Sequence, residues 1–235
     1  MNFKDKVFLV TAASRGMGAA IAKELALNQA SLVLMSRSEA VVSLADSLGA
    51  VPVTGSTENA EDLKKCVDLV IEKFGRIDGV VNNTGHPPKG DLLEITDADW
   101  MKGMNQVLMN VIRISRLVTP FMINQKKGAI VNISTFSAFE PSASFPVSST
   151  FRAALGSYMK LYANRYGSSN IRMNNVLPGF IDTYAITEDI KKQIPLNRSG
   201  KTNEIAKTVA FLLSDDAGYI TGQNIRVDGG ITRSI

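Results

Sequence analysis

The sequence predicts an α/β fold: a single-domain, doubly wound parallel sheet of about seven strands with helices on both faces. Three observations predict it. Short runs rich in Val, Ile and Leu alternate with longer stretches of helical period. These runs are rich in Val, Ile and Leu without strict alternation, as strands buried on both faces require. The 235 residues, 45% apolar and 20% charged, suffice for one full core, and no linker, low-complexity tract or internal repeat divides residues 1–235.

Taken in order, the first strand is Val7 to Thr11, an unbroken apolar run, followed by a glycine turn and a helix over about 17–28. Ser31 to Met35 repeats the strand pattern before a helix over 39–48, and Val51 to Thr54 precedes one over 59–74. In that third helix Leu63, Cys66, Val67, Val70, Ile71 and Phe74 form an apolar stripe at helical spacing. Gly79 to Asn82 and Ala129 to Ser134 bracket a long helical stretch, 97–124. A further helix, 147–167, carries the stripe Phe151, Leu155, Tyr158, Met159, Tyr162 and Tyr166, suited to core or subunit packing. Arg172 to Leu177, a helix over 202–214, and Asn224 to Val227 complete the alternation.

Charge and cysteine content exclude several classes. The formal charge is +4, but Lys and Arg are scattered and form no basic run, so no nucleic-acid partner is expected. Cys66 is the only cysteine and sits in a core stripe, which excludes a disulfide framework and a cysteine-built metal site. The apolar run Val7 to Ala13 is too short for a signal peptide, and no run approaches a membrane span. The expectation is a soluble, cytoplasmic protein with no membrane partner and no metal.

The first chemical signal is the turn Thr11-Ala12-Ala13-Ser14-Arg15-Gly16-Met17-Gly18 between the first strand and helix. Such a turn brings backbone N–H groups to a pyrophosphate at a helix N-terminus, and glycine permits both the turn and the close approach. Further motifs follow in order: Asn82-Asn83-Thr84-Gly85, Asn132-Ile133-Ser134-Thr135, Pro178-Gly179-Phe180-Ile181-Asp182-Thr183, Tyr219-Ile220-Thr221-Gly222-Gln223 and Val227-Asp228-Gly229-Gly230. Each follows a strand, where open α/β sheets bind ligands, except the Tyr219 to Gln223 stretch that leads into the last one. Over essentially the whole chain this ordered set resembles the short-chain dehydrogenase/reductase family, a Rossmann-type fold.

The resemblance implies a cofactor site. Ala12, Ser14, Arg15, Gly16, Met17 and Gly18 would cradle the pyrophosphate, with Ala12 in place of the family's first glycine; a modest effect is expected from its methyl. Asn83, Thr84 and Gly85 would line the adenine-ribose side. Pro178, Gly179, Ile181 and Thr183 would hold the nicotinamide. Where the family often has an aspartate beside the adenine, this chain has Ser56, followed by Thr57. Charge then selects the cofactor: the second strand ends Ser36-Arg37, with Arg15 close by and no carboxylate expected, which favours the 2′-phosphate of NADP(H) over a free 2′-OH.

At the reaction site the pattern departs from the family. The resemblance assigns Val107, seven residues after Trp100, to the family's asparagine, Thr135 to its serine, Ser148 to its tyrosine and Arg152 to its lysine. Thr135 keeps a hydroxyl, and Arg152 can still donate to ribose hydroxyls. Ser148 is a far poorer acid than tyrosine, and Val107 cannot hold a relay water. Tyr184, after the nicotinamide strip, and His86, the only histidine, are candidate replacement acids. The implied function is an NADP(H)-dependent reductase of a small carbonyl, conjugated enone or imine. Alternatives are a catalytically inactive NADP(H)-binding sensor or partner subunit, and a non-redox lyase. The helices at 97–124 and 147–167 resemble those with which the family forms a homotetramer or homodimer. The segment Tyr184 to Leu196 reads as a short lid.

Overall fold

The structure is a computed structural model that describes residues 1–234. Seven strands, β1 (Val7–Thr11), β2 (Ser31–Ser36), β3 (Val51–Thr54), β4 (Gly79–Asn82), β5 (Gly128–Ile133), β6 (Ile171–Pro178) and β7 (Asn224–Val227), form one sheet in the order β3-β2-β1-β4-β5-β6-β7. Every neighbouring pair is parallel. Order reverses beside β1, which places a crevice at the carboxyl ends of β1 and β4.

Successive residues of a strand face opposite sides, so a strand covered on both faces must be apolar at every position. In β1, Phe8 and Val10 join one core with α1 (Gly16–Leu27), α2 (Ala40–Leu48) and α8 (Thr202–Leu213). Val7 and Leu9 join the other, with α3 (Ala60–Phe74), α5 (Asn110–Gln125) and α6 (Pro146–Tyr166). Cys66 lies in this second core, as its stripe predicts. Burial pushes its thiol up to about 12. Gly49 and Gly75, both at positive φ, end α2 and α3 in the left-handed conformation that glycine adopts at least cost.

Two segments differ from the sequence reading. The stretch 97–124 is not one regular helix: α4 (Asp97–Met104) runs through a π-helical turn, Asn105–Met109, into α5. The side-chain Nδ2 of Asn110 donates to the Gln106 carbonyl at 2.6 Å, taking a backbone acceptor that the widened turn releases. The lid segment carries its own helix, α7 (Glu188–Gln193), where Thr187 Oγ1 accepts from the Ile190 amide. Glu188 and Asp189 in its first turn and Lys191 and Lys192 in its last match the helix dipole.

Four asparagines cross the sheet in register. Asn82 Nδ2 donates to Asn132 Oδ1, Asn132 Nδ2 to Asn175 Oδ1, and Asn175 Nδ2 to Asn224 Oδ1, each at 2.8 Å. The chain of amides ties β4, β5, β6 and β7 together across the sheet. The helix α6 carries Ser148 and Arg152, and the π-helical turn before α5 carries Val107.

Candidate active site

The turn after β1 is held by the strand that follows α3. Thr11 Oγ1 donates to the Asn83 carbonyl at 2.8 Å and accepts from the Asn83 amide at 3.0 Å, while Asn83 Nδ2 donates to the Ala12 carbonyl. Gly16 has φ +57, and a Cβ on Gly18 would lie 2.3 Å from the Ala12 carbonyl oxygen. Gly18 is therefore required by close approach, and Gly16 is favoured by its backbone conformation. Ala12 itself stands at φ 47, the left-handed region, so its methyl is strained rather than merely tight. The N-terminus of α1 has no side-chain cap and no acidic residue in its first turn. Its unpaired N–H groups and dipole suit a phosphate, and the dinucleotide pattern fits the residues present.

Ser36 Oγ donates to Ser14 Oγ at 2.9 Å, joining the ends of β2 and the turn. Arg15 and Arg37 are both exposed on this rim. The expectation of no carboxylate there is corrected: Glu58 Oε1 lies 3.6 Å from Arg37 Nη1. The physical reason is the sheet order, since Ser36 pairs with Thr54 and the segments leaving β2 and β3 run side by side. Ser56 and Thr57 are half-buried in that segment. Asp62, which sequence reasoning missed, accepts from the Ser56 amide at 2.9 Å and Ser56 Oγ from the Glu58 amide, so both groups shape the turn.

On the other side, Gly179 packs against Asp228, where a Cβ would come within 2.7 Å of backbone. Pro178 and Ile181 are buried. The methyl of Thr183 reaches 3.3 Å from the position a Gly16 Cβ would take, so the strip after β6 meets the glycine turn across the crevice. Met17 and Thr84 are half-buried, and Gly85 is exposed beside Gln106 Nε2.

At the reaction corner Arg152 is buried at 7% exposure. Its Nε donates to Ser148 Oγ at 3.2 Å and its Nη1 to the Ile133 carbonyl. Burial holds the guanidinium down at about 10, still well above neutral pH. Thr135 Oγ1 accepts from Ser137, and Val107 is buried in the π-helical turn. Beside Val107, Gln106 donates to the His86 carbonyl at 3.3 Å, anchoring the loop after β4. Its signal in the sequence was hidden because only the π-helical turn directs it inward. The two candidate acids meet: the rings of His86 and Tyr184 stand edge to face, 6.3 Å between centroids. Burial, with Lys89 and then Arg152, lowers the pKa of His86, and burial raises that of Tyr184. By contrast Tyr162 shares a hydrogen bond with Thr119 inside the core, and with Tyr158 and Tyr166 forms the packing stripe expected of it.

A family model described as enoyl-(acyl carrier protein) reductase matches residues 11–232. The 3-oxoacyl-[acyl-carrier-protein] reductase FabG of Thermotoga maritima is 34% identical, over 98% of this chain and 99% of its own length. Dehydrogenase/reductase SDR family member 4 of Caenorhabditis elegans is 33% identical over 98% and 96%. The chain belongs to the short-chain dehydrogenase/reductase family. Among solved structures, YwfH, an NADPH dependent reductase involved in bacilysin biosynthesis, superposes with a TM-score of 0.93 at 27% identity, covering 98% of this chain and 99% of that one. A short-chain type dehydrogenase/reductase from Mycobacterium ulcerans gives the same TM-score at 25% identity, over 98% and 91%. The short-chain dehydrogenase/reductase architecture accounts for the sheet order and for the clustering of the sequence motifs, Tyr219 to Gln223 excepted, at the strands' carboxyl ends. No helix among the described residues is long and apolar enough to cross a membrane.

Proposed function

We propose that this oxidoreductase is an NADP(H)-dependent reductase of a small carbonyl, conjugated enone or imine, working with a non-standard proton supply. The observation that carries it is the pair of exposed guanidiniums, Arg15 and Arg37, on the rim where β1 and β2 end, above an uncapped helix N-terminus. Guanidinium forks suit a 2′-phosphate, and the uncapped helix suits a pyrophosphate. Glu58 offsets part of the charge of Arg37 without replacing it.

The cofactor, when bound, supplies or accepts hydride. In this reading Ala12, Ser14, Gly16, Met17 and Gly18 hold its pyrophosphate; Ser36, Ser56, Thr57, Asn83, Thr84 and Gly85 line the adenosine side; Pro178, Gly179, Ile181 and Thr183 face the nicotinamide. Arg152 holds ribose hydroxyls or substrate oxygen as a fixed cation. Thr135 and Ser148 donate hydrogen bonds to that oxygen without giving up a proton, since aliphatic alcohols are poor acids. Tyr184 keeps its proton because burial raises its pKa. Protonation then falls to water or to an acid the substrate itself carries. The family relationship supports a small-molecule substrate, and the α5 and α6 faces support self-association as a homodimer or homotetramer.

The test is titration with NADPH and NADH followed by a screen of ketones, enones and imines for NADPH oxidation. Tight NADPH binding with turnover of at least one acceptor is expected. Binding without turnover of any acceptor would instead make the chain a silent NADP(H)-binding sensor or partner subunit, a reading that buried Val107 favours.

A further inference from the structure

We propose that the substrate carries a carboxylate, and that the Arg152 guanidinium is its anchor. This rests on the reductase reading and names the substrate class of that same site. Among the described residues no carboxylate pairs with Arg152: the ion pairs of the chain involve other cations. Two protein acceptors, Ser148 Oγ and the Ile133 carbonyl, take one N–H each. A guanidinium has five N–H donors, so three remain, including both on Nη2.

A cation so buried without a counter-charge is costly, and burial lowers its pKa for the same reason. Hydroxyl acceptors satisfy donors but leave the charge uncompensated. The groups that face Arg152 reinforce the demand for an anion. His86, on the loop after β4, feels Lys89 and Arg152 as repelling charges, and the hydrogen-bond partners of Arg152 from β5 and α6 are neutral. An anion bound between them would offset both cations. Carboxylate matches the planar, remaining N–H pairs in a way that a point acceptor does not. Such substrates include 2-oxo acids and unsaturated acids, in which the reducible centre lies within a few bonds of the carboxylate.

The experiment is calorimetric titration of the protein, with and without saturating NADP+, using 2-oxo-4-phenylbutanoate and its ethyl ester. The wild-type protein is expected to bind the acid at least ~10-fold more tightly than the ester, the scale of a charge-assisted pair. Arg152→Gln should abolish that preference, and Arg152→Lys, which keeps the charge on a point donor, should retain part of it. Circular dichroism and thermal denaturation establish that the variants fold. Equal affinity for acid and ester, a preference that survives in Arg152→Gln, or failure of wild type to bind either ligand while it binds NADPH would each overturn the proposal. Absence of NADPH binding with the acid preference intact would overturn the reductase reading instead and leave the anion site standing.

Discussion

Arg152 Nε donates to Ser148 Oγ across 3.2 Å, and the direction is fixed because a guanidinium has no acceptor. The Ser148 hydrogen must therefore point away from Arg152. Ser148 is a positioned hydrogen-bond donor, and its alcohol is too weak an acid to transfer the proton. Ser148→Ala should lower kcat by less than ~10-fold on any acceptor that is turned over. Loss of general acid catalysis would cost ~10²- to 10⁴-fold. Steady-state kinetics decide: a hundredfold loss would make Ser148 the proton donor.

Ala12 at φ 47 stands where an L side chain is disfavoured by about 1–2 kcal/mol. Glycine relieves that strain but raises the entropy of the unfolded chain by roughly 0.5–1 kcal/mol. Ala12→Gly should stabilise the fold by a net ~0.5–1 kcal/mol, about 1–4 °C in Tm for a chain of this size. Differential scanning calorimetry tests it, and a lower Tm would show that the turn relaxes differently.

The contrast between Ala12 and Glu58 shows what could be read from the sequence alone. Inner strands such as β1 and β4 were legible because burial on both faces forces contiguous apolar runs, and β1, β3, β4 and β7 fall at the expected residues. Glycine requirements were legible because local dihedrals depend on local sequence. The approach of Glu58 to Arg37 was not, because it follows from which strands are neighbours. The π-helical turn was equally hidden. Its widened geometry depends on an Asn110 side chain whose role appears only once the helix packs against the sheet.

Glu58 competes with a phosphate for Arg37. An exposed pair at 3.6 Å is worth at most about 1 kcal/mol, so Glu58→Gln should tighten NADPH binding by up to ~5-fold. Arg37→Ala should weaken NADPH binding by ~10-fold or more, the scale of a charge-assisted hydrogen bond, and leave NADH nearly unaffected. Fluorescence titration of both cofactors measures the two effects. Equal losses for NADPH and NADH would place the 2′-phosphate elsewhere.

His86 links the site to pH. Burial, then Lys89 and Arg152, lowers its folded-state pKa below the unfolded value near 6.5. Between those two values the unfolded chain binds more protons, so stability is full above pH 6.5 and falls as the pH drops towards the folded pKa. His86→Asn should remove part of the decline in Tm between pH 7.5 and about 5.5. If wild type and variant decline in parallel, the acid sensitivity comes from other groups.

Asn132 sits in the middle of the amide chain, accepting from Asn82 and donating to Asn175, each at 2.8 Å. Asn132→Leu strands a buried donor on Asn82 and a buried acceptor on Asn175, at a cost of roughly 1–3 kcal/mol for each. Asn132→Asp is the sharper test. An ionised carboxylate still accepts from Asn82 but faces the Asn175 oxygen with no hydrogen to give, whereas the protonated acid restores both bonds. Its folded-state pKa must therefore rise above the unfolded value near 3.9. Stability lost in this variant should be recovered as pH falls and lost again as it rises through the raised pKa, opposite in sign to the effect of His86. Chemical denaturation at pH 5 and about pH 8 measures it; a penalty independent of pH would mean that the substituted side chain leaves the chain of amides and finds water.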